Sequence, residues 1–198
     1  MPDSTAEVIT PDEALLAQAR RGDRNALEDL LRRHWTVSYR VARRLLGRDD
    51  DACDAVQDAM LKLVTHLTEF DGRCGFRTWL LRIVTNSALD LGRKRGRMHK
   101  IGLGVAQGSF DSEAPEPMIE EDPLRELKRQ DLRRALDEAL ACLNPNIRAT
   151  FVLFAEGGLS YKEISETLGI PTGTVMSRLH YARLKLQESP SLHNLDGL

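Results

Sequence analysis

The sequence predicts an all-α protein made of two small helical domains joined by a flexible acidic linker. Three observations carry this. Apolar residues recur at three- and four-residue spacing and nowhere sustain two-residue alternation. One aperiodic stretch, Gly96 to Asp122, gathers Gly102, Gly104, Gly108, Pro115 and Pro117 among acids. The 198 residues also hold enough apolar content for two cores. The expected boundaries are 10–97 for the first domain, 98–122 for the linker and 123–188 for the second domain.

The elements follow in order. Thr10-Pro11-Asp12-Glu13 reads as a capping box with Pro11 at the first helical position, opening a short helix to about Arg21 that Gly22-Asp23 breaks. Leu27, Leu30, Leu31, His34, Val37, Val41 and Leu45 mark a longer helix ending at Gly47. Asp49 to Asp51 offers N-caps and favourable negative charge for a third helix, running to about Phe70 and stopped by Asp71-Gly72. A fourth spans about Phe76 to Arg95. In the second domain, Asp122-Pro123 opens a helix to about Leu143, and Asn144-Pro145 opens another to about Glu156, which Gly157-Gly158 ends. The tail after Glu188 is expected to fray.

The stretch Leu159 to Leu184 has the residue grammar of a helix-turn-helix that reads duplex DNA. Ser160 and Glu163 form a capping box, and Gly169 supplies the left-handed residue of a tight turn. Ile164, Leu168, Ile170, Val175 and Leu179 supply contacts between the two helices, and the small Ser165 lets their backbones approach. Pro171 and Thr172 start the second helix. Its outward residues Thr174, Ser177, Arg178, Tyr181 and Arg183 can hydrogen-bond to bases and phosphates in a major groove.

The third helix is two-sided. Cys53, Val56, Met60, Leu63, Val64, Leu67 and Phe70 form a core stripe. Beside it, Asp54, Gln57, Asp58, Leu61 and Thr65 have the composition of a partner-helix docking site or of a merely solvated face. In the fourth helix Phe76, Trp79, Leu80, Ile83, Ser87 and Leu91 face inward. Thr78, Arg82, Thr85, Asn86, Leu89 and Arg93 share the other side, whose cations can neutralise phosphates, and Lys94, Arg95, Arg97 and Lys100 extend the cationic track. Part of that charge also complements the helix C-terminus. The loop Asp71 to Gly75, with two glycines, lets backbone approach a splayed-out base. Trp79 and Phe76 are expected to be mostly buried.

Net charge is only −2, yet charge is sorted into blocks. Arg48 to Asp71 carries seven acids against two bases, Gly72 to Lys100 eight bases against one acid, and Ile101 to Pro123 six acids with no Lys or Arg. Phosphate binding depends on clustered cations, so sorting suggests one surface for nucleic acid and others for something else. Cys53, Cys74 and Cys142 lack C-x-x-C spacing and are expected to be free thiols in a reducing compartment. Nothing near Cys74 beyond Arg73 would stabilise a thiolate. The acidic MPDSTAEVITPDE start and the absence of an eighteen-residue apolar run predict no signal peptide and no membrane span, hence a cytoplasmic protein. No metal site or cofactor is expected.

The order of parts, an acid-flanked helix, a basic helix, an acidic linker and a helix-turn-helix, together with LLAQARRGDRNALEDLLRRH, DAVQDAMLKL, FRTWLLRIVTNSALDLGRKR and LSYKEISETLGIPTGTVMSRLHYARLKL, resembles bacterial RNA polymerase sigma factors of the extracytoplasmic-function branch of the sigma-70 family. The resemblance covers roughly residues 12 to 188 apart from the linker. It implies that the first domain is like sigma region 2 and the second like region 4, and that core RNA polymerase (β′ and β subunits), promoter DNA and an anti-sigma factor are partners. Asp54, Gln57, Asp58 and Leu61 fall in the motif that docks on the β′ coiled coil. Arg73, Thr78, Arg82, Asn86, Arg93, Lys94 and Arg95 fall in the element that recognises and opens the −10 region. The linker corresponds to the segment threaded towards the polymerase active centre.

Thr172, Thr174, Met176, Ser177, Arg178, His180, Tyr181 and Arg183 would read the −35 element. Met176 and Tyr181 stand where family members often carry Lys or Arg, which leaves base preference there open. Met60 and Val64 replace larger aromatics, and Asn144 replaces an apolar residue or proline while capping well. The rival readings are a stand-alone helix-turn-helix regulator, an enzyme and an interaction adaptor. Overall acidity and the Asp54 to Leu61 patch count against the regulator. No paired-carboxylate, phosphate-loop, zinc or nucleophile motif supports an enzyme. An adaptor would leave the basic helix unexplained.

Overall fold

The computed structural model describes residues 11–100 and 123–193, with side chains described for 11–96 and 130–192. Among the described residues there are nine α-helices and no strand: α1 Asp12–Ala19, α2 Arg24–Leu46, α3 Asp49–Thr65, α4 Phe76–Lys100, α5 Pro123–Ala141, α6 Pro145–Ala155, α7 Tyr161–Leu168, α8 Thr172–Gln187 and α9 Pro190–His193. The linker expected at 98–122 therefore begins inside α4, and its residues 101–122 lie outside the described residues.

Local chemistry explains most boundaries. Asp23 caps α2 by accepting from the backbone N–H groups of Asn25 and Ala26 at 3.0 and 3.2 Å, and Gly47 ends that helix at φ 77°, a conformation that favours glycine. Asn144 caps α6 through the N–H of Asn146 at 3.0 Å, with Pro145 in the first turn. The expected box at Thr10 reaches outside the described residues. Pro11 there is the capping residue rather than the first helical one.

Three expectations about α3 and α4 are corrected. The residue capping α3 is Arg48, with no side-chain cap. Asp49, Asp50 and Asp51 occupy the first turn instead, where their charge meets the positive helix end. The helix stops at Thr65, and a 3-10 turn over Leu67–Glu69 carries the chain to Phe70. Helix α4 continues past Arg95 to Lys100. Nor does the tail simply fray after Glu188: α9 folds back on α5, where the Ser191 hydroxyl donates to Glu138 at 2.8 Å and Leu192 packs against a small core of Ala139, Leu140, Leu143, Ala182 and Leu186.

In the first domain α2, α3 and α4 pack on one another, with Leu30, Val41, Val56, Leu63, Leu80, Leu81 and Val84 fully buried. The inner face of α3 is lined by Ala52, Ala55 and Ala59 as well as Val56, and small residues let neighbouring helices approach closely. Val64, expected in this stripe, is 45% exposed, and Cys53 is only half-buried. Rings of Phe70, Phe76 and Trp79 pack with centroids 4.9–6.3 Å apart, and buried His34 adds a fourth at 5.3 Å from Phe76.

The apolar core does not stop at the domain boundary. Ala149, Val152, Leu153, Leu159, Ile164, Val175 and Leu179 of the second domain belong to the same buried cluster as the first domain's core, because α6 lies on α2 and α7 on α4.

Candidate nucleic-acid interface

The second helix pair is built as its sequence dictates. Ser160 accepts from the N–H of Glu163 at 3.3 Å, and the Glu163 carboxylate accepts from the Ser160 N–H at 2.9 Å and its hydroxyl at 2.7 Å. Such a box contributes on the order of 1 kcal/mol. Gly169 turns the chain at φ 63°, and the Ser165 hydroxyl donates to the Ile170 carbonyl at 2.5 Å, stitching the turn to the first helix. Val175, Leu179, Ala182 and Leu186 bury one side of α8. The other side presents Thr172, Met176, Ser177, His180, Tyr181 and Arg183 to solvent, while Thr174 and Arg178 are half-buried on its flanks. The Arg183 guanidinium lies over the Phe154 ring at 5.7 Å.

On α4, Arg82, Asn86 and Arg93 are exposed along one side, as expected, with Lys94 beside them. Arg93 pairs with Asp90, and half-buried Arg95 pairs with buried Asp51 at the start of α3, so part of its charge is spent inside the fold. Burial pushes the Asp51 carboxyl up, and Arg95 and Arg48 oppose that shift. Thr78 and Thr85 do not share the exposed side. They are 3% and 0% exposed.

Before α4, Asp71 accepts from the Arg73 N–H at 3.0 Å and Gly72 adopts φ 74°, shaping a tight loop that leaves the Arg73 side chain 90% exposed. This loop faces α1 across a cleft of about 510 Å³, lined among others by Glu13, Leu16, Arg20, Phe70, Arg73 and Phe76. Its floor is fastened by Arg20, whose guanidinium donates to the Thr68 carbonyl at 3.0 Å and to that of Phe70. An open cleft that sets apolar side chains such as Leu16 and Phe70 among as much polar surface can take a planar base with its polar edges. Cys74 in the loop is half-buried, and burial together with Glu166 and Asp71 pushes its thiol up, so the loop holds no ready thiolate.

On α3, Asp54, Gln57, Asp58, Leu61 and Thr65 are all exposed, Leu61 by 70%. Asp58 is tethered nonetheless: its carboxylate accepts from Lys62 at 2.6 Å and from Ser87 of α4 at 2.7 Å, contacts that hold its pKa below the ordinary carboxylate value. The patch combines fixed negative charge with a leucine left in water and an adjacent exposed valine.

The structure also makes contacts between distant segments that the sequence does not announce. Buried Thr78, at the start of α4, donates to Glu163 of α7 at 2.7 Å. Arg44 of α2 reaches Asp137 at 2.7 Å and Glu156 at 3.3 Å, Arg43 bridges Asp49 at 2.7 Å and Asp137 at 3.2 Å, and Arg148 donates to the Leu45 carbonyl at 3.0 Å. These contacts clasp the two halves together. The hint in the sequence is Arg43-Arg44, two cations set on the border of the apolar face of α2. Among the described residues no group of three or more His, Cys, Asp or Glu could hold a metal ion, and no helix is long and apolar enough to cross a membrane.

Two family profiles match the chain: Sigma-70 region 2 over residues 30–98 and Sigma-70, region 4 over residues 133–186. The chain is 36% identical over 177 residues to the ECF RNA polymerase sigma factor SigE of Mycolicibacterium smegmatis, covering 87% of this chain and 66% of that one. It is 33% identical over 176 residues to the ECF RNA polymerase sigma factor SigM of Mycobacterium tuberculosis, covering 88% and 82%. Among solved structures it is similar to CnrH in complex with the cytosolic domain of CnrY, with TM-score 0.66 and 29% identity over 89% of this chain and 95% of that one. It is also similar to the sigma factor RpoE in complex with the anti-sigma factor NepR from Bartonella quintana, with TM-score 0.62 and 28% identity over 81% and 96%.

Proposed function

The chain belongs to the extracytoplasmic-function branch of the sigma-70 family, and from that premise we propose that it recruits core RNA polymerase to promoters bearing particular −10 and −35 elements, in the cytoplasm and without chemistry of its own. The labour divides among a domain at 10–97, a linker at 98–122 and a domain at 123–188. Asp54, Gln57, Asp58 and Leu61 dock on the polymerase β′ subunit. Arg73, Arg82, Asn86, Arg93 and Lys94 hold the −10 strand while a base leaves the stack for the cleft beside Asp71 to Gly75. Unstacking costs a few kcal/mol, which cleft contacts and the cationic side of α4 offset. The exposed face of α8 reads the −35 element, and the acidic linker runs along a basic channel of the polymerase.

The observation that carries this reading is the coexistence, on one chain, of an exposed acid-and-leucine patch with two separate surfaces suited to DNA. A stand-alone regulator has no use for the patch.

The clasped arrangement is a resting state of the free chain. The −10 and −35 elements lie roughly 25 base pairs apart, on the order of 85 Å at ~3.4 Å per pair. Residues 101–122 can reach roughly 70–80 Å when extended, at about 3.3–3.6 Å per residue, so with the width of the domains the tether suffices once α6 and α7 leave α2 and α4. An anti-sigma factor that favours the clasped form would keep the chain from promoters. The test is promoter binding by the chain alone, core enzyme alone and the two together. Strong sequence-dependent binding is expected only for the combination, and equally tight specific binding by the chain alone would favour the stand-alone regulator.

A further inference from the structure

The solvent face of α8 is poor in charge for a surface meant to meet a polyanion. From Thr172 to His180 the exposed side chains are Thr172, Met176, Ser177 and His180, and the one Lys or Arg there, Arg178, is half-buried on the flank. Met176 is 53% exposed, and Tyr181 and Leu184 continue the apolar surface at 46% and 43%. The later cations are engaged elsewhere: Arg183 lies over Phe154, and Lys185 pairs with Glu188 at 2.8 Å and lies 6.0 Å from the Tyr181 ring centroid.

The early residues of such a helix are the ones that reach base edges. A thioether donates no hydrogen bond and accepts only weakly, so it cannot read the donor and acceptor pattern of a base pair. What an apolar side chain can match in the major groove is the 5-methyl group that thymine presents. We infer that Met176 is a specificity-determining residue whose thioether packs on a thymine methyl in the −35 element, making recognition by this chain methyl-dependent. The inference rests on the proposed role of α8 in reading that element. The hydroxyls and imidazole of Thr172, Ser177 and His180 flank Met176 and suit the polar base edges around a methyl.

The test uses the full chain bound to core RNA polymerase and the tightest duplex it selects from a library randomised across the upstream element. Each thymine of that element is then replaced singly by deoxyuridine, which keeps base pairing and removes only the methyl. One replacement is expected to weaken binding about fourfold, the weight of one buried carbon at ~0.8 kcal/mol. Met176→Ala is expected to bind the thymine and deoxyuridine duplexes alike at that position, and Met176→Leu to retain the preference, with affinity for core enzyme unchanged in both. Indifference of the unmodified chain to every replacement overturns the inference while leaving the functional reading intact. Retained discrimination by Met176→Ala overturns it too, as does a loss of core-enzyme affinity in that variant, which would mark the face as a protein contact. If the complex selects no upstream sequence, the inference and the functional reading fall together.

Discussion

Thr78 donates its hydroxyl to Glu163 at 2.7 Å across 85 residues of chain, and the same carboxylate caps the helix that opens the helix-turn-helix. One side chain thus ties a domain contact to the start of a DNA-reading unit. A hydrogen bond to a charged group contributes about 1.5–3 kcal/mol when buried. Thr78→Val removes the donor and keeps the shape, while the Ser160 bonds still hold Glu163. We expect the clasped form to open at lower urea, read by energy transfer between dyes on the two domains. An unchanged opening midpoint would show that the contact does not hold the domains together.

The same pair gives the clasp a pH dependence. Thr78 foremost, then Ser160, hold the Glu163 pKa below its ordinary 4.5. A lowered folded pKa means the contribution is complete above about pH 4.5 and is lost as pH falls through the lowered value. Opening should therefore become easier in acid, and Thr78→Val should flatten that trend. A clasp that tightened as the pH dropped would contradict the assignment.

Arg44 is a second fastening, with Asp137 and Glu156 both on its guanidinium. Arg44→Gln leaves Glu156 without its cation and Asp137 with Arg43 alone, so the variant should open in less denaturant and lose part of the salt sensitivity of opening. Scattering profiles that match the unmodified chain at low and high salt would remove this role.

Asp58→Arg should weaken binding to core polymerase at least tenfold, about 1.4 kcal/mol, because it reverses a tethered charge in the proposed docking patch. Unfolding stability should fall by no more than about 1 kcal/mol, since the contacts it loses are at the surface. Equal affinity for the polymerase would dismiss the patch.

Gly157 is a backbone constraint. A Cβ there would lie 2.5 Å from the Leu153 carbonyl oxygen, so Gly157→Ala must shift the end of α6. A loss of more than about 1 kcal/mol in chemical denaturation is expected. Full stability would mean that the helix end relaxes freely.

What could be read from the sequence was local. The Ser160–Glu163 box, the Gly169 turn and the Asn144 cap each depend on residues within five positions, and they stand as expected. Thr78 was misplaced because helical spacing aligns it with Arg82, whereas α7 covers that end of α4 and only tertiary packing brings α7 there. Val64 was misplaced for a related reason: Leu63 and Val64 both fit an apolar stripe, and the alanines at 52, 55 and 59 turn α3 so that Leu63 alone is covered. The arginine clasp escaped notice because its acids, Asp137 and Glu156, lie about ninety residues or more along the chain.

A sigma factor makes core polymerase promoter-specific, and run-off transcription measures that directly. Core enzyme with the full chain should give a discrete transcript from a template selected by the complex, and core enzyme alone should give none above background. Transcript yield that is the same with and without the chain would contradict the account.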